Sequence, residues 1–281
     1  VILTQAKGRF SEVGFLGDAY APLVTGGNPN ANVFEVDGIV PPGGLTTEQI
    51  NMRFEKALQF DHLRLPKHAA FDLAGEQARK IITGKAAETF DLSREDKAMR
   101  ERYGRTIIGQ QLLAARRLVE YGVPYISINY NGWDSHKRHF ETMARPTAEM
   151  DQAVSALLTD LKERGLLDST VVWMCGEFGR VPKVDRQPPW NGGRNHYPLC
   201  FSALVAGGGF KGGCAVGVSD DVAAHPKERP VTPIEFLGSI CELAGVDPEG
   251  PLPNPKGIKL NVMPLPTGRN AGFGRLKEIY A

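Results

Sequence analysis

Residues 125–175 read YISINYNGWDSHKRHFETMARPTAEMDQAVSALLTDLKERGLLDSTVVWMC, and the order of elements in this stretch decides the fold class. Its two ends, 125–130 (YISINY) and 170–175 (TVVWMC), are short β-branched and aromatic runs bounded by polar residues or glycine, which reads as strand. Between them Pro146 suits a first helical turn, Met150, Val154, Leu157, Leu158 and Leu161 recur on one face, and Gly165 is placed to stop a helix. Strand, helix, strand predicts a crossover unit whose strands run parallel with a right-handed connection. The carboxyl ends of both strands then share one edge, where open α/β sheets bind ligands.

The segment after each strand is rich in groups that bind ions. Residues 133–136 (WDSH) come after the first strand and 176–180 (GEFGR) after the second. Side chains two apart on extended chain project to the same side, so Asp134 and His136 can approach one ion together, with Glu177 joining them. A third segment, 193–197 (GRNHY), precedes a strand-like run at 199–206 (LCFSALVA). For His196 to reach the same edge, that strand must run antiparallel to the others, and this is the expectation. Asp134, His136, Glu177 and His196 are thus candidate ligands for divalent ions, with Zn, Mn and Ca each compatible. Arg180 and Arg194 carry planar forks that match phosphate or sulfate oxygens, so they are candidates for stabilising charge on a transferred group. Taken singly, each of these residues has a plain alternative, a solvated turn or an ordinary ion pair; only their convergence would make a site. The connection over 179–198 contains Pro182, Pro188, Pro189, Gly192 and Gly193 and no helical period, which predicts long irregular chain.

These three segments resemble the motifs W-D-T-H, G-E-F-G-R-T-P and G-R-D-H-W of a bacterial family, the sulfatase-like domain-of-unknown-function 1501 proteins of the alkaline phosphatase superfamily. The likeness extends over nearly the whole chain, through Tyr103-Gly104-Arg105, Ala206-Gly207-Gly208-Gly209 with Lys211-Gly212-Gly213, and Arg229-Pro230-Val231-Thr232-Pro233. It implies a three-layer α/β/α fold, alkaline-phosphatase-like, with a mostly parallel sheet and an antiparallel strand near 199–206. It also implies a metal-dependent hydrolase of phosphate or sulfate esters, acting on small molecules or polysaccharides in the periplasm. The family's pattern places the nucleophile and a further metal-binding Asp upstream of residue 1. The sequence departs from the motifs at Ser135, Val181, Asn195 and Tyr197, where the family usually has Thr, Thr, Asp and Trp. Asn195 offers a carbonyl oxygen but no charge, which would hold a hard cation less strongly. That departure keeps open a noncatalytic structural or interaction subunit with a degenerate site. A carbohydrate-binding module built on Trp133, Trp190 and Tyr197 is a third reading.

Composition narrows the classes further. A length of 281 residues with 42% hydrophobic content supports a real core, and a formal net charge of +1 gives no bias toward nucleic acid or an anionic membrane surface. No apolar run reaches the roughly 20 residues that span a bilayer. Cys175, Cys200, Cys214 and Cys241 lack C-x-x-C spacing and read as buried free thiols. Residues 1–45 are expected to be an irregular wrapping segment with a short strand at 34–36, 46–250 the α/β domain, and 251–281 a Pro-rich tail that packs as a strap or contacts a protein partner or second copy. Thr46 with Gln49 makes a capping box for a helix to about residue 63. Further helices are expected near 68–83, 93–102, 105–121 and from Thr232-Pro233 to Gly245. His139, three residues after His136, reads as a surface histidine, with a partner that supports an ion ligand as the alternative. The run 207–213 (GGGFKGG) lacks the Ser or Thr of a phosphate loop and is expected to be a hairpin turn joining 199–206 to 214–218.

Overall fold

The computed structural model describes residues 1–5, 11–17, 20–31, 34, 36–39, 42–60, 69–252, 257–264 and 274–281. It is a mixed α/β structure in which the described strands form four two-stranded sheets. The chain divides into two compact units, one of residues 1–130 with 152–157 and one of residues 131–151 with 158–281.

The first unit is mainly helical. α1 (Thr47–Phe60) starts at the expected capping box: Gln49 N–H donates to the Thr46 hydroxyl at 3.2 Å, and the Gln49 side chain accepts from Thr46 N–H at 3.0 Å. α2 (Ala69–Thr83), α3 (Ala86–Phe90) and α4 (Lys97–Arg102) come next. The Asp96 carboxylate caps α4 at Met99 N–H. α5 (Ile107–Glu120), capped by Thr106, is buried along most of its length. Its Gly109 passes so close to the Tyr103 and Gly104 carbonyls that a Cβ there would lie 2.3 Å from both oxygens. Arg116, 1% exposed, is held by Glu95 at 2.7 Å and Glu120 at 2.6 Å, and Arg117 pairs with the same Glu95. β1 (Ile2–Leu3) pairs in parallel with β2 (Ser127–Ile128). The strand expected over 125–130 therefore exists but is short, and its partner is the beginning of the chain. Phe34 and Val36 are in no strand, and Glu35 lies outside the described residues.

The second unit carries β3 (Val172–Cys175), which pairs antiparallel with β6 (Ala203–Ala206), Cys175 opposite Ala203. Within the same unit β4 (Gly179–Arg180) pairs antiparallel with β5 (His196–Tyr197). The helix between β2 and β3 is α6 (His139–Glu163), whose start lies well before Pro146. The reason is tertiary: Arg138 N–H and His139 N–H donate to the carbonyls of Trp190 and Gly192, so a distant loop satisfies donors that a helix start would leave orphaned. Proline is tolerated inside at the cost of one backbone bond.

The glycine run is not a hairpin to 214–218. β7 (Val218–Ser219) pairs instead with β8 (Pro226–Glu228). Gly207, Gly208 and Gly209 all have positive φ, and a Cβ on Gly207 would lie 2.4 Å from the Leu167 and Thr170 carbonyls. Close passage over that turn, as well as conformation, demands glycine there. α7 (Pro233–Leu243) has a complete capping box between Thr232 and Glu235 and ends before Gly245 at φ +76°. Phe210, Leu276 and Ile279 form a buried cluster of this unit, packed by Val171, Val205, Phe236, Ile240 and Tyr280 among others. Leu276 and Ile279, among the last residues, are thus part of this apolar cluster. Ala281 N–H bonds to Gly209 O and Lys211 N–H to Ile279 O, each at 2.7 Å. All four cysteines are free, but Cys175 and Cys214 are exposed and Cys200 and Cys241 half-buried, so the expected burial is corrected. Among the described residues no helix is long and apolar enough to cross a membrane.

Candidate metal centre

Two devices bring the first and third segments together. β4 and β5 set Arg180 opposite His196, and Val181 N–H extends the pairing to the Asn195 carbonyl at 2.9 Å. The loop between them closes on itself through Asp185 and Gly193, and Gly193 then crosses directly over the His136 carbonyl. A Cβ on Gly193 would lie 2.1 Å from that oxygen. Only glycine permits the approach.

The outcome is a cluster of one carboxylate and two imidazoles. Asp134, His136 and His196 each offer a ligand atom, and these atoms lie within 4.8 Å of one another. Asp134 Oδ1 is 2.7 Å from His196 Nε2, 3.0 Å from His136 Nε2 and 3.0 Å from an Arg180 guanidinium nitrogen. The contact with His196, then that with Arg180, holds the Asp134 carboxyl down at about 2, so it is ionised. The two imidazoles are tilted with centroids 4.7 Å apart, and Phe178 lies against His196 at 4.3 Å. His136 Nδ1 lies 3.0 Å from Asn195 Oδ1.

The other expected site residues are placed differently. Glu177 is exposed in the turn after β3 and is outside the three-residue group. Arg180 touches Asp134 but also donates to the carbonyls of Trp133, Ser135 and Arg194. Arg194 is turned onto the Val181 and Arg180 carbonyls at 2.7 and 3.0 Å. Both guanidiniums tie segments of backbone together. His139 is half-buried rather than a surface group, with Nδ1 2.7 Å from the buried Ser135 hydroxyl. Burial, then the charges of Arg194 and Arg180, push its pKa down. Trp190 lies under Lys137 and Tyr197 beside His225. Sequence reasoning reaches neither Phe178 nor the His136–Asn195 contact. An apolar ring inside an otherwise polar turn is the one signal that points to Phe178.

The donor set fits a divalent ion. Two imidazole nitrogens and a carboxylate oxygen are the ligands of many zinc sites, and three protein ligands leave positions open. A family model described as protein of unknown function (DUF1501) matches residues 2–264. The chain belongs to that family. All three motif segments of this DUF1501 chain fall within the match. No curated protein and no solved structure matches it.

Proposed function

We propose that this chain carries the ion-binding part of a metal-dependent hydrolase of phosphate or sulfate esters, alkaline-phosphatase-like in its three-layer fold and exported to the periplasm. The convergence of Asp134, His136 and His196 from stretches some sixty residues apart in sequence supports this reading most directly. The motif likeness to sulfatase-like proteins supplies the substrate class. A bound divalent ion would polarise a nonbridging ester oxygen and lower the pKa of a coordinated water. In this reading Arg180 contributes positive charge beside Asp134, and Arg194 shapes the β4–β5 backbone that carries His196.

Metal analysis by mass spectrometry after incubation with Zn, Mn and Ca tests the reading. The expected result is a retained ion in the protein and its loss in Asp134→Ala and His136→Ala. Protein that retains none of the three ions would overturn it. An ion retained without turnover of an aryl phosphate or sulfate is the result expected of the noncatalytic alternative, which the uncharged Asn195 favours.

A further inference from the structure

One carboxylate oxygen in the cluster faces more donors than it can accept. A carboxylate oxygen has two lone pairs. Asp134 Oδ1 faces three nitrogens, from His196 at 2.7 Å and from His136 and Arg180 at 3.0 Å. Arg180 is permanently charged and donates one hydrogen bond. In the ion-free protein the shorter imidazole contact, from His196, fills the second lone pair, and an entering ion would take that proton's place as the proton leaves to solvent. His136 Nε2 is then left without a place for a proton, while its Nδ1 faces a carbonyl oxygen of its own on Asn195 at 3.0 Å.

Neutral imidazole carries one N–H and one lone pair, and the hydrogen bond made at one nitrogen decides which end is which. From this geometry, and resting on the reading of the cluster as an ion site, we infer that Asn195 is a positioning residue: it accepts the Nδ1–H of His136 and so turns the bare Nε2 toward Asp134 and His196. A bare nitrogen 3.0 Å from a carboxylate oxygen is repulsive until a cation lies between them. Asn195 thereby acts on the ion through His136. Ion-ligating imidazoles commonly give their second nitrogen to a carbonyl or carboxylate in this way, and losing that partner costs about 10–100-fold in affinity. The neutral amide suits this task without adding a second negative charge, and Asn195 is carried to His136 by the backbone pairing of Val181 with its own carbonyl.

The test separates this contact from the ion reading. Long-range ¹⁵N–¹H correlation spectra of the metal-free protein should show His136 protonated at Nδ1. Asn195→Asp should keep that signature, whereas Asn195→Leu should move the population toward the Nε2–H form. In calorimetric titration with Zn²⁺, Asn195→Leu should bind about 10–100-fold more weakly and Asn195→Asp at least as tightly as the unsubstituted protein. An Nε2–H His136 in the unsubstituted protein, or an Asn195→Leu variant with unchanged Zn²⁺ affinity, overturns the inference. If the unsubstituted protein takes up none of Zn²⁺, Mn²⁺ and Ca²⁺, the reading of the cluster fails and the inferred role of Asn195 toward an ion falls with it. The spectra still decide the Asn195–His136 contact on their own.

Discussion

Replacing Gly193 with alanine should damage the proposed ion site without substituting any of its candidate ligands. The added Cβ would sit 2.1 Å from the His136 carbonyl oxygen and 3.2 Å from the Trp190 Cβ, where ordinary contact begins near 3.4 Å. The first neighbour is backbone, so relief requires the 185–193 loop to move away from His136 by about 1 Å, beyond the roughly 0.5 Å within which a site must be held. Asn195 and His196 lie just beyond Gly193 in the chain and would move with it. Loss of ligand orientation on that scale costs about 10–100-fold in affinity, or about 1.4–2.8 kcal/mol. Overpacking adds a stability loss of about 1–3 kcal/mol. Zn²⁺ titration calorimetry on Gly193→Ala is the assay, with Gly212→Ala as the control because its Cβ would meet nothing within 4 Å. If Gly193→Ala and Gly212→Ala bind Zn²⁺ equally well, the loop crossing does not position the site.

Two further predictions concern stability. Glu95 joins Arg116 and Arg117; burial raises its pKa, but the hydrogen bonds from both guanidiniums outweigh this, so its folded value lies below the ordinary 4.5. Its stabilisation is therefore present above that value and lost as pH falls through the folded value. Glu95→Ala should cost about 3–5 kcal/mol by leaving Arg116 under-compensated in the interior. Glu95→Gln should flatten the acid side of the melting profile tracked by circular dichroism, and a profile as steep as that of the unsubstituted protein would refute the assignment. Thr232→Ala removes the hydroxyl that caps α7 and should lower stability by about 1 kcal/mol in urea denaturation, with Thr232→Ser close to neutral.

Local signals in the sequence are legible where the chain satisfies itself. Thr46 with Gln49 and Thr232 with Glu235 cap their helices as the spacing requires, because both partners lie within one turn. The convergence of Asp134, His136 and His196 is legible for a related reason: β2 precedes Asp134 and His136, β5 carries His196, and the position of His196 implies the antiparallel course of β6. Signals fail where a distant segment decides the outcome. α6 begins before Pro146 because Trp190 and Gly192 cap it, and no local pattern announces a cap some fifty residues away. β2 pairs with Ile2–Leu3, a partner no crossover argument suggests. The glycines at 207–209 point to the wrong partner because positive φ looks the same in a hairpin and in a chain crossing close over the turn before β3. Arg180 and Arg194 stand out in the sequence for their charge, yet the structure turns most of their donors onto backbone carbonyls.

Leu276, Ile279 and Tyr280 close the core of the unit that also contains Asp134, His136 and His196. During synthesis this interior cannot be completed until residue 280 has cleared the ribosomal exit tunnel, well after Asp134, His136 and His196 have emerged. A nascent chain stalled before Leu276 would therefore leave Phe210 and its apolar neighbours uncovered, a surface for a chaperone or for aggregation until the last residues arrive.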